Sequence, residues 1–416
     1  MNSRFPRSAA GCAGSVPRQR PSGYVVTAAI STLIWSGAAR AEFHFSPYAN
    51  VTDEYNSNIF YLPPGEQEEP GYGPGKADNV VTSRLGADLT YTWSQQKLHA
   101  TVQGSRLDYD HFTDQSHDEY LMNGGLDWKV ADLLDGTLDY QRARHQVAYY
   151  LLTAGSNRLE QETDNIASGT ANLNITPIWR VETQASITDD NTPRQFVPGY
   201  AQSMVDLSTH ETYGQASLRY LGVANLSAGL QYGYLNGTFN GVPAGISPHY
   251  EQNTEQLVAK YAVSGLTTLD AAAGYARRIQ GGESIGGFAG LLGYTRQLTG
   301  KTSMNFQVSR LMQTYVSALG TEVDENAQLS FVWQATEKIA VTPNYVWTYS
   351  TFPGQSDVFG ATRGDHLQNL NLDVTYQALR WLSVHPYVRY QTRNSNVRNY
   401  EYNASVVGLT VEARLP

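Results

Sequence analysis

The chain reads as an all-β protein, a transmembrane antiparallel β-barrel of about 18 strands, with 16 as the nearest other count. Three observations lead there. From residue 80 onward, apolar and polar residues alternate with period two, the strand signature; the links between alternating segments are short and long in turn; and the composition suits strands. Tyrosine stands at 28 and glycine at 37, against 5 methionines and 1 cysteine. Strand and turn formers therefore outnumber the residues that fill helical cores.

Residues 1–41 come first and read as a secretory signal to be set aside before the fold is considered. Arg4, Arg7, Arg18 and Arg20 give a positive lead, Tyr24 to Trp35 an apolar stretch, and Ala39-Arg40-Ala41 a small-residue cleavage site ahead of Glu42. The apolar run is too short for a membrane helix. Cys12 follows Ala10-Gly11 without the apolar stretch that a lipoprotein box requires. Removing this segment takes out five arginines and the cysteine, so the net charge falls from −9 to −14 and disulfides are excluded. A chain this acidic, with no Lys/Arg block, is not built for nucleic acid.

The barrel is expected over 42–416. Val81, Ser83, Leu85, Ala87, Leu89, Tyr91 and Trp93 oppose Thr82, Arg84, Gly86, Asp88, Thr90 and Thr92, one set suited to lipid and the other to water. The alternation returns in 179–188, 226–234, 257–263 and 339–349. Short links fall at 94–97, 130–135, 176–178, 221–225, 264–268, 297–301, 335–338 and 377–380. Longer polar links fall at 59–79, 110–118, 145–161, 189–204, 236–251, 279–284, 314–324, 350–364 and 392–399. Eight and nine links join eighteen strands, expected at about 9–11 residues each, with short periplasmic turns, long extracellular loops and both termini on the periplasmic side. In lipid only a closed sheet pairs every backbone group. Aromatics near the strand ends, among them Tyr91, Trp93, Trp179, Trp333, Trp381 and Tyr390, suit the interfacial girdles.

Three places fit the pattern poorly. Arg142 and Arg310 fall in register with lipid-facing neighbours, which calls for snorkelling or a local bulge. In 98–109 the apolar parity slips from even (Leu98, Ala100, Val102) to odd (Leu107, Tyr109).

Eighteen strands enclose a water-filled bore, so passage across the outer membrane is the function the sequence predicts. The charges expected to face the bore are Arg84, Asp88, Lys129, Arg180, Glu182, Arg219, Lys260, Asp270, Arg278, Asp373, Arg389, Glu412 and Arg414. Their mixed signs suit a charge-paired wall and an uncharged or weakly charged solute.

The segment Phe45-Ser46-Pro47-Tyr48-Ala49-Asn50-Val51-Thr52-Asp53-Glu54-Tyr55-Asn56-Ser57-Asn58-Ile59-Phe60 resembles the opening strand of the β-barrel porin 2 family. The last strand, Val407 to Pro416, resembles the carboxy-terminal signal read by the barrel-assembly machinery, though it ends in Leu-Pro and not phenylalanine. Membership of that family would imply export of a secreted exopolysaccharide or capsular polysaccharide, with a periplasmic export protein as partner. The other reading is a general diffusion or substrate-specific uptake porin, narrowed by an inward loop drawn from 145–161 or 59–79.

A lipid-modifying enzyme is the least favoured reading. His111, His117, His145 and His249 lie near Ser116 or Ser247 only in sequence, which is weak support for a nucleophile and its base. No cofactor motif is present; Glu66, Glu68 and Glu69 read as a solvated charge run and not a calcium site. The glycine pairs at 281–282 and 286–287 suit turns and strand bends better than phosphate binding.

Overall fold

The computed structural model describes residues 41–66, 68–69, 73–147, 159–196, 204–242, 247–315, 320–353 and 362–415. The expected signal segment lies outside them, apart from Ala41. Eighteen antiparallel strands form one sheet. They are β1 (Glu42–Asn56), β2 (Asp78–Trp93), β3 (Gln96–Tyr109), β4 (His117–Val130), β5 (Leu134–Gln146), β6 (Gln161–Thr176), β7 (Trp179–Phe196), β8 (Met204–Val223) and β9 (Leu226–Asn240). The second half comprises β10 (His249–Ser264), β11 (Thr267–Gln280), β12 (Glu283–Thr299), β13 (Thr302–Tyr315), β14 (Gly320–Gln334), β15 (Ile339–Thr351), β16 (Gly364–Leu379), β17 (Leu382–Ser395) and β18 (Tyr402–Arg414). Each strand pairs with its chain neighbours, and β1 closes the cylinder by pairing with β18 from Tyr48↔Arg414 to Asn56↔Val406. No sheet edge is left to face lipid.

The eight short and nine longer links are found as expected, with two corrections. The strands run from 13 to 20 residues, longer than a bilayer needs, so their outer ends stand above the membrane. The link expected over 279–284 is a two-residue turn, Gly281-Gly282, with φ +61° and +86°. Glycine takes that left-handed geometry at no steric cost.

The outer wall is apolar because period two puts every other side chain there. Leu218, Leu230 and Leu257 lie side by side across β8, β9 and β10, exposed by 44, 64 and 65%. Only lipid can cover such a row without cost. A shallow apolar depression of ≈ 790 Å³ beside them, lined by Val181, Leu218, Leu230 and Leu257 among others, belongs to this lipid face. Trp93 stacks on Tyr91, ring centroids 5.4 Å apart, and Trp179 packs on Tyr220 at 5.0 Å, both beside periplasmic turns. Tyr140, Tyr232, Tyr275 and Phe288 are exposed higher on the wall. Interleaved with them, the outward face turns polar at Arg142, Glu255, Arg277, Arg310 and Glu325, about 8–10 residues from the inner rim, with Glu255 paired between Tyr232 and Tyr275, which matches a transmembrane strand.

Neither arginine marks a bulge. The ladders on both sides of Arg142 run in unbroken register, and its Nε donates to the Tyr120 hydroxyl at 3.2 Å. Arg310 reaches Glu325 at 3.5 Å. The slip expected in β3 is likewise absent: its ladders are continuous. Leu107 and Tyr109 point into the barrel.

Candidate functional site: the bore and its outer constriction

Thirteen charges were expected to face the bore, and each lies on the strand face opposite the exposed apolar rows. Most pair within the periplasmic half. Asp88 accepts from Thr101 Oγ1 at 2.7 Å and pairs with Arg414 Nη1. Arg414 also reaches Glu412 at 3.0 Å and lies 4.3 Å over the Tyr48 ring. A second chain runs from Asp135 to Arg180 (3.4 Å), Glu182 (3.6 Å) and Arg219 (3.1 Å). Lys260 faces Asp270 at 3.5 Å. Arg84 donates to Ser105 and Arg389 to Asn371, while Asp373 sits opposite Tyr387 in the ladder. Lys129 reaches down to Asp132 in the periplasmic turn at 2.8 Å, and that contact holds the Asp132 carboxyl below its ordinary range. Neighbouring opposite charges on adjacent inward positions leave a polar wall with little net field.

Arg278 belongs elsewhere. It lies in the outer half, 1% exposed, with its guanidinium 3.9 Å over the Tyr250 ring. Burial that deep requires a cover, and two stretches of chain supply covers on the inner wall.

The first is the segment after β1. Ile59, Phe60 and Leu62 form a buried cluster with Phe112 and Val147, against Tyr61 and the inward Tyr109. The Phe60 and Phe112 rings meet edge to face at 4.9 Å. Asn58, fully buried, fixes the turn: its Oδ1 accepts from Leu62 N, and its Nδ2 donates to Leu62 O and to Asn403 O at the outer end of β18. Tyr61 has a positive φ of 54° and packs against Tyr402 at 4.7 Å. The inward Tyr402, Ala404 and Val406 are 2–3% exposed, so the segment lies on the inner wall of β18. Asp78 ties in the next loop, accepting from His111 N and Phe112 N, both at 2.9 Å. The inward loop foreseen from 59–79 is therefore present; 148–158, the bulk of the other candidate, lies outside the described residues.

The second cover is the outer end of the β13–β14 hairpin. The β12–β13 ladder stops at Gly290↔Arg310, although β12 runs on to Glu283 and β13 to Tyr315. Met312 and Val323 have lipid-side parity, yet both are buried against Ala276, Ala289 and Ile285, inward residues of β11 and β12. The hairpin end has left the wall and lies inside it. Thr314 Oγ1 accepts from Arg278 Nη1 at 2.9 Å and donates to Glu211 Oε1 of β8 at 2.7 Å. Tyr250 donates to the same carboxylate oxygen at 2.7 Å.

A third packed group closes the outer end near β16. Asp365 accepts from Arg363 and Arg393, all three at most 8% exposed at the side chain. Arg363 stacks between Phe352 and Tyr400, 4.2 and 3.3 Å from the ring centroids.

The residues considered for chemistry stay apart or serve structure. Ser116 Oγ accepts from Tyr109 N, and Ser247 Oγ donates to a backbone carbonyl. A Ser–His contact does occur at Ser383 and His385, 2.7 Å, but the other ring nitrogen faces Thr375 and not a carboxylate. No acid orients that imidazole as a catalytic base requires. Glu68-Glu69 pair with Gly73-Pro74 as a small hairpin. His145, Glu162 and Asp164 lie close enough together to hold a metal ion. Their contacts use different ring nitrogens, Nε2 to Glu162 at 3.0 Å and Nδ1 to Asp164 at 3.9 Å. That is the pattern of an imidazole bridging two carboxylates, whereas a metal takes one nitrogen.

Sequence reasoning missed Asp365, Arg363 and Arg393 because they fall in or beside stretches read as loops, and Glu211, inside an expected strand, because nothing in the sequence set it apart from other inward polar positions. A buried carboxylate within two residues of an arginine, as in Arg363-Gly364-Asp365, was the one available signal.

A closed barrel with a lipid-suited outer band and a charge-paired polar bore is an outer-membrane channel of the porin kind. No protein-family model and no curated protein sequence matches the chain. Among solved structures it is similar to OccK2 (OpdF) of Pseudomonas aeruginosa, at 12% identity and TM-score 0.48, covering 90% of this chain and 98% of that one. OpdK with vanillate, from the same organism, gives 12% and 0.46 over 89% and 99%. The siderophore receptor PirA of Acinetobacter baumannii gives 8% and 0.46 over 88% and 80%. At these scores the likeness says nothing of a solute, and the channel assignment rests on the pairing and the wall described above.

Proposed function

We propose that the protein is a diffusion or uptake channel for small polar solutes, which are sized at an outer constriction and then pass a balanced, charge-paired bore. The supporting observation is that two segments of the chain, residues 58–62 and the β13–β14 end, lie packed on the inner wall at the outer mouth. A polymer leaving the cell would have to displace both. The resemblance to the β-barrel porin 2 family favours polysaccharide export instead, with a periplasmic protein delivering the chain. Proteoliposome swelling separates the two readings. Uptake predicts prompt flux of monosaccharides through the purified barrel, falling steeply with solute size. A barrel that passes no small sugar by itself, and conducts only when a periplasmic partner is added, would favour export.

A further inference from the structure

We propose that Arg142 and Arg144, on the outward face of β5, form a clamp for a phosphate group of the glycolipid in the outer leaflet of the membrane. The inference goes beyond the channel reading and holds whatever solute the bore passes.

Arg142 is a charge at a lipid-side position, and the unbroken ladders on both sides keep it there. Arg144 follows two residues on, on the same face, and both are exposed. Beneath them the wall is apolar: Leu138, Tyr140 and Met122 are exposed by 54, 49 and 48%. The two arginines stand eight and ten residues along the strand from Leu134. At about 3.3 Å per residue and a tilt of about 40°, they lie about 20 and 25 Å above the inner rim, at the upper edge of an apolar band about 25 Å tall. That is the headgroup level of the outer leaflet.

What separates this pair from other outward arginines is the absence of an acid. Arg310 has Glu325 at 3.5 Å, and Arg106 has Asp108 at 2.8 Å and Asp118 at 3.3 Å. Across the ladders from Arg142, the outward positions are Tyr120, Met122 and Gly124 on β4 and Thr163, Asn165 and Ala167 on β6. None carries a carboxylate. Arg142 Nε donates to the Tyr120 hydroxyl at 3.2 Å, and Arg144 Nη2 to Gln161 Oε1 at 2.6 Å. Both acceptors are neutral, and each guanidinium keeps further N–H groups to donate.

Two like charges about 7 Å apart along one strand face repel each other, the more so at the boundary of a low-dielectric medium. An anion held between them removes that repulsion. Phosphate suits the place, because the donor fork of a guanidinium matches its oxygens. A glycolipid suits it further. Its phosphate would lie among the hydroxyl and amide groups of Tyr120, Gln161, Thr163 and Asn165, which hydrogen-bond to sugar hydroxyls, and its acyl chains would lie on the apolar wall below.

Native mass spectrometry of the detergent-solubilised barrel, with purified diphosphorylated lipid A as the probe, tests the clamp. The native barrel should bind the lipid, and Arg142→Gln with Arg144→Gln should weaken binding by about tenfold or more, as the loss of two charge-assisted contacts requires. Arg277→Gln, which removes an outward arginine ten residues up β11, should leave it unchanged. Equal binding by the native barrel and the double variant would overturn the clamp. Dephosphorylated lipid A needs no variant: it should bind the native barrel about tenfold more weakly, and equal affinity would overturn the clamp as well. Phosphatidylglycerol displacing lipid A at equal concentration would overturn the choice of a glycolipid, and inorganic phosphate doing so would show a site for the free anion instead.

Discussion

At the scale of single residues, side chains one apart along a strand face different solvents, and the consequences can be measured. Leu230 lies four residues above the inner rim on the lipid face, and Gln231 on the bore, where its amide donates to Gln256 at 3.3 Å. Leu230→Arg should cost about 2–4 kcal/mol of folding stability in lipid, as expected near the bilayer midplane. Gln231→Arg should cost well under half of that; equal losses in urea titrations of the refolded barrel would mean that the wall assignment is wrong. Asp365 carries a different burden, because Arg363 and Arg393 are both buried around it. Asp365→Asn removes the charge that compensates them and should cost about 3–5 kcal/mol. The readout is a lower temperature at which the heat-modifiable gel band converts. Parity alone predicts the first substitution, whereas the second needs the fold, which brings Arg393 from β17 to a carboxylate 28 residues away in sequence.

Among elements, the segment after β1 does most to shape the mouth. Phe60, Phe112, Ile59 and Leu62 each bury apolar surface worth about 1.5–3 kcal/mol, against the entropy of ordering the loop at about 1–2 kcal/mol per residue. Docking is therefore a narrow balance that the Asn58 hydrogen bonds help to hold. Replacing residues 58–64 with a short Gly/Ser link should leave the barrel folded and raise its single-channel conductance; unchanged conductance would show that the segment does not narrow the path. Asn58→Ala should give a smaller, noisier increase, because the loop would undock without being removed.

For the whole molecule, the seam and the overall field decide behaviour. The closing pair, β1 with β18, depends on the last dozen residues of the chain, and Ser46 donates to Leu415 O at 2.7 Å at its inner end. Deleting 410–416 should leave unpaired strand edges in lipid and abolish the heat-modifiable folded band. In the outer half the inward carboxylates include Glu54, Asp78, Glu119, Glu162, Asp164, Asp190, Glu211 and Asp324. The inward arginines there, among the described residues, are Arg278, Arg363 and Arg393, and two of these serve Asp365. A mouth of that sign attracts cations. The reversal potential under a KCl gradient should therefore show potassium preferred over chloride, and the preference should fade at high salt as screening shortens the field.

Period two along the chain determined the fold class, the strand number, the order of short and long links, and the inward set from Arg84 to Arg414. These follow from local geometry, since alternation fixes a face and an even strand count fixes a side for the termini. The slip read at Leu107 and Tyr109 was a true signal misattributed: apolar residues face inward there because chain from another part of the sequence covers them. Which stretches fold into the mouth, why Met312 and Val323 are buried despite lipid-side parity, and how Glu211 meets Thr314 were decided only by tertiary structure. Each depends on contacts outside the ladder, from neighbouring strands such as β12 and β13 to β8 and β13, five apart around the cylinder, and no periodicity within one strand encodes them.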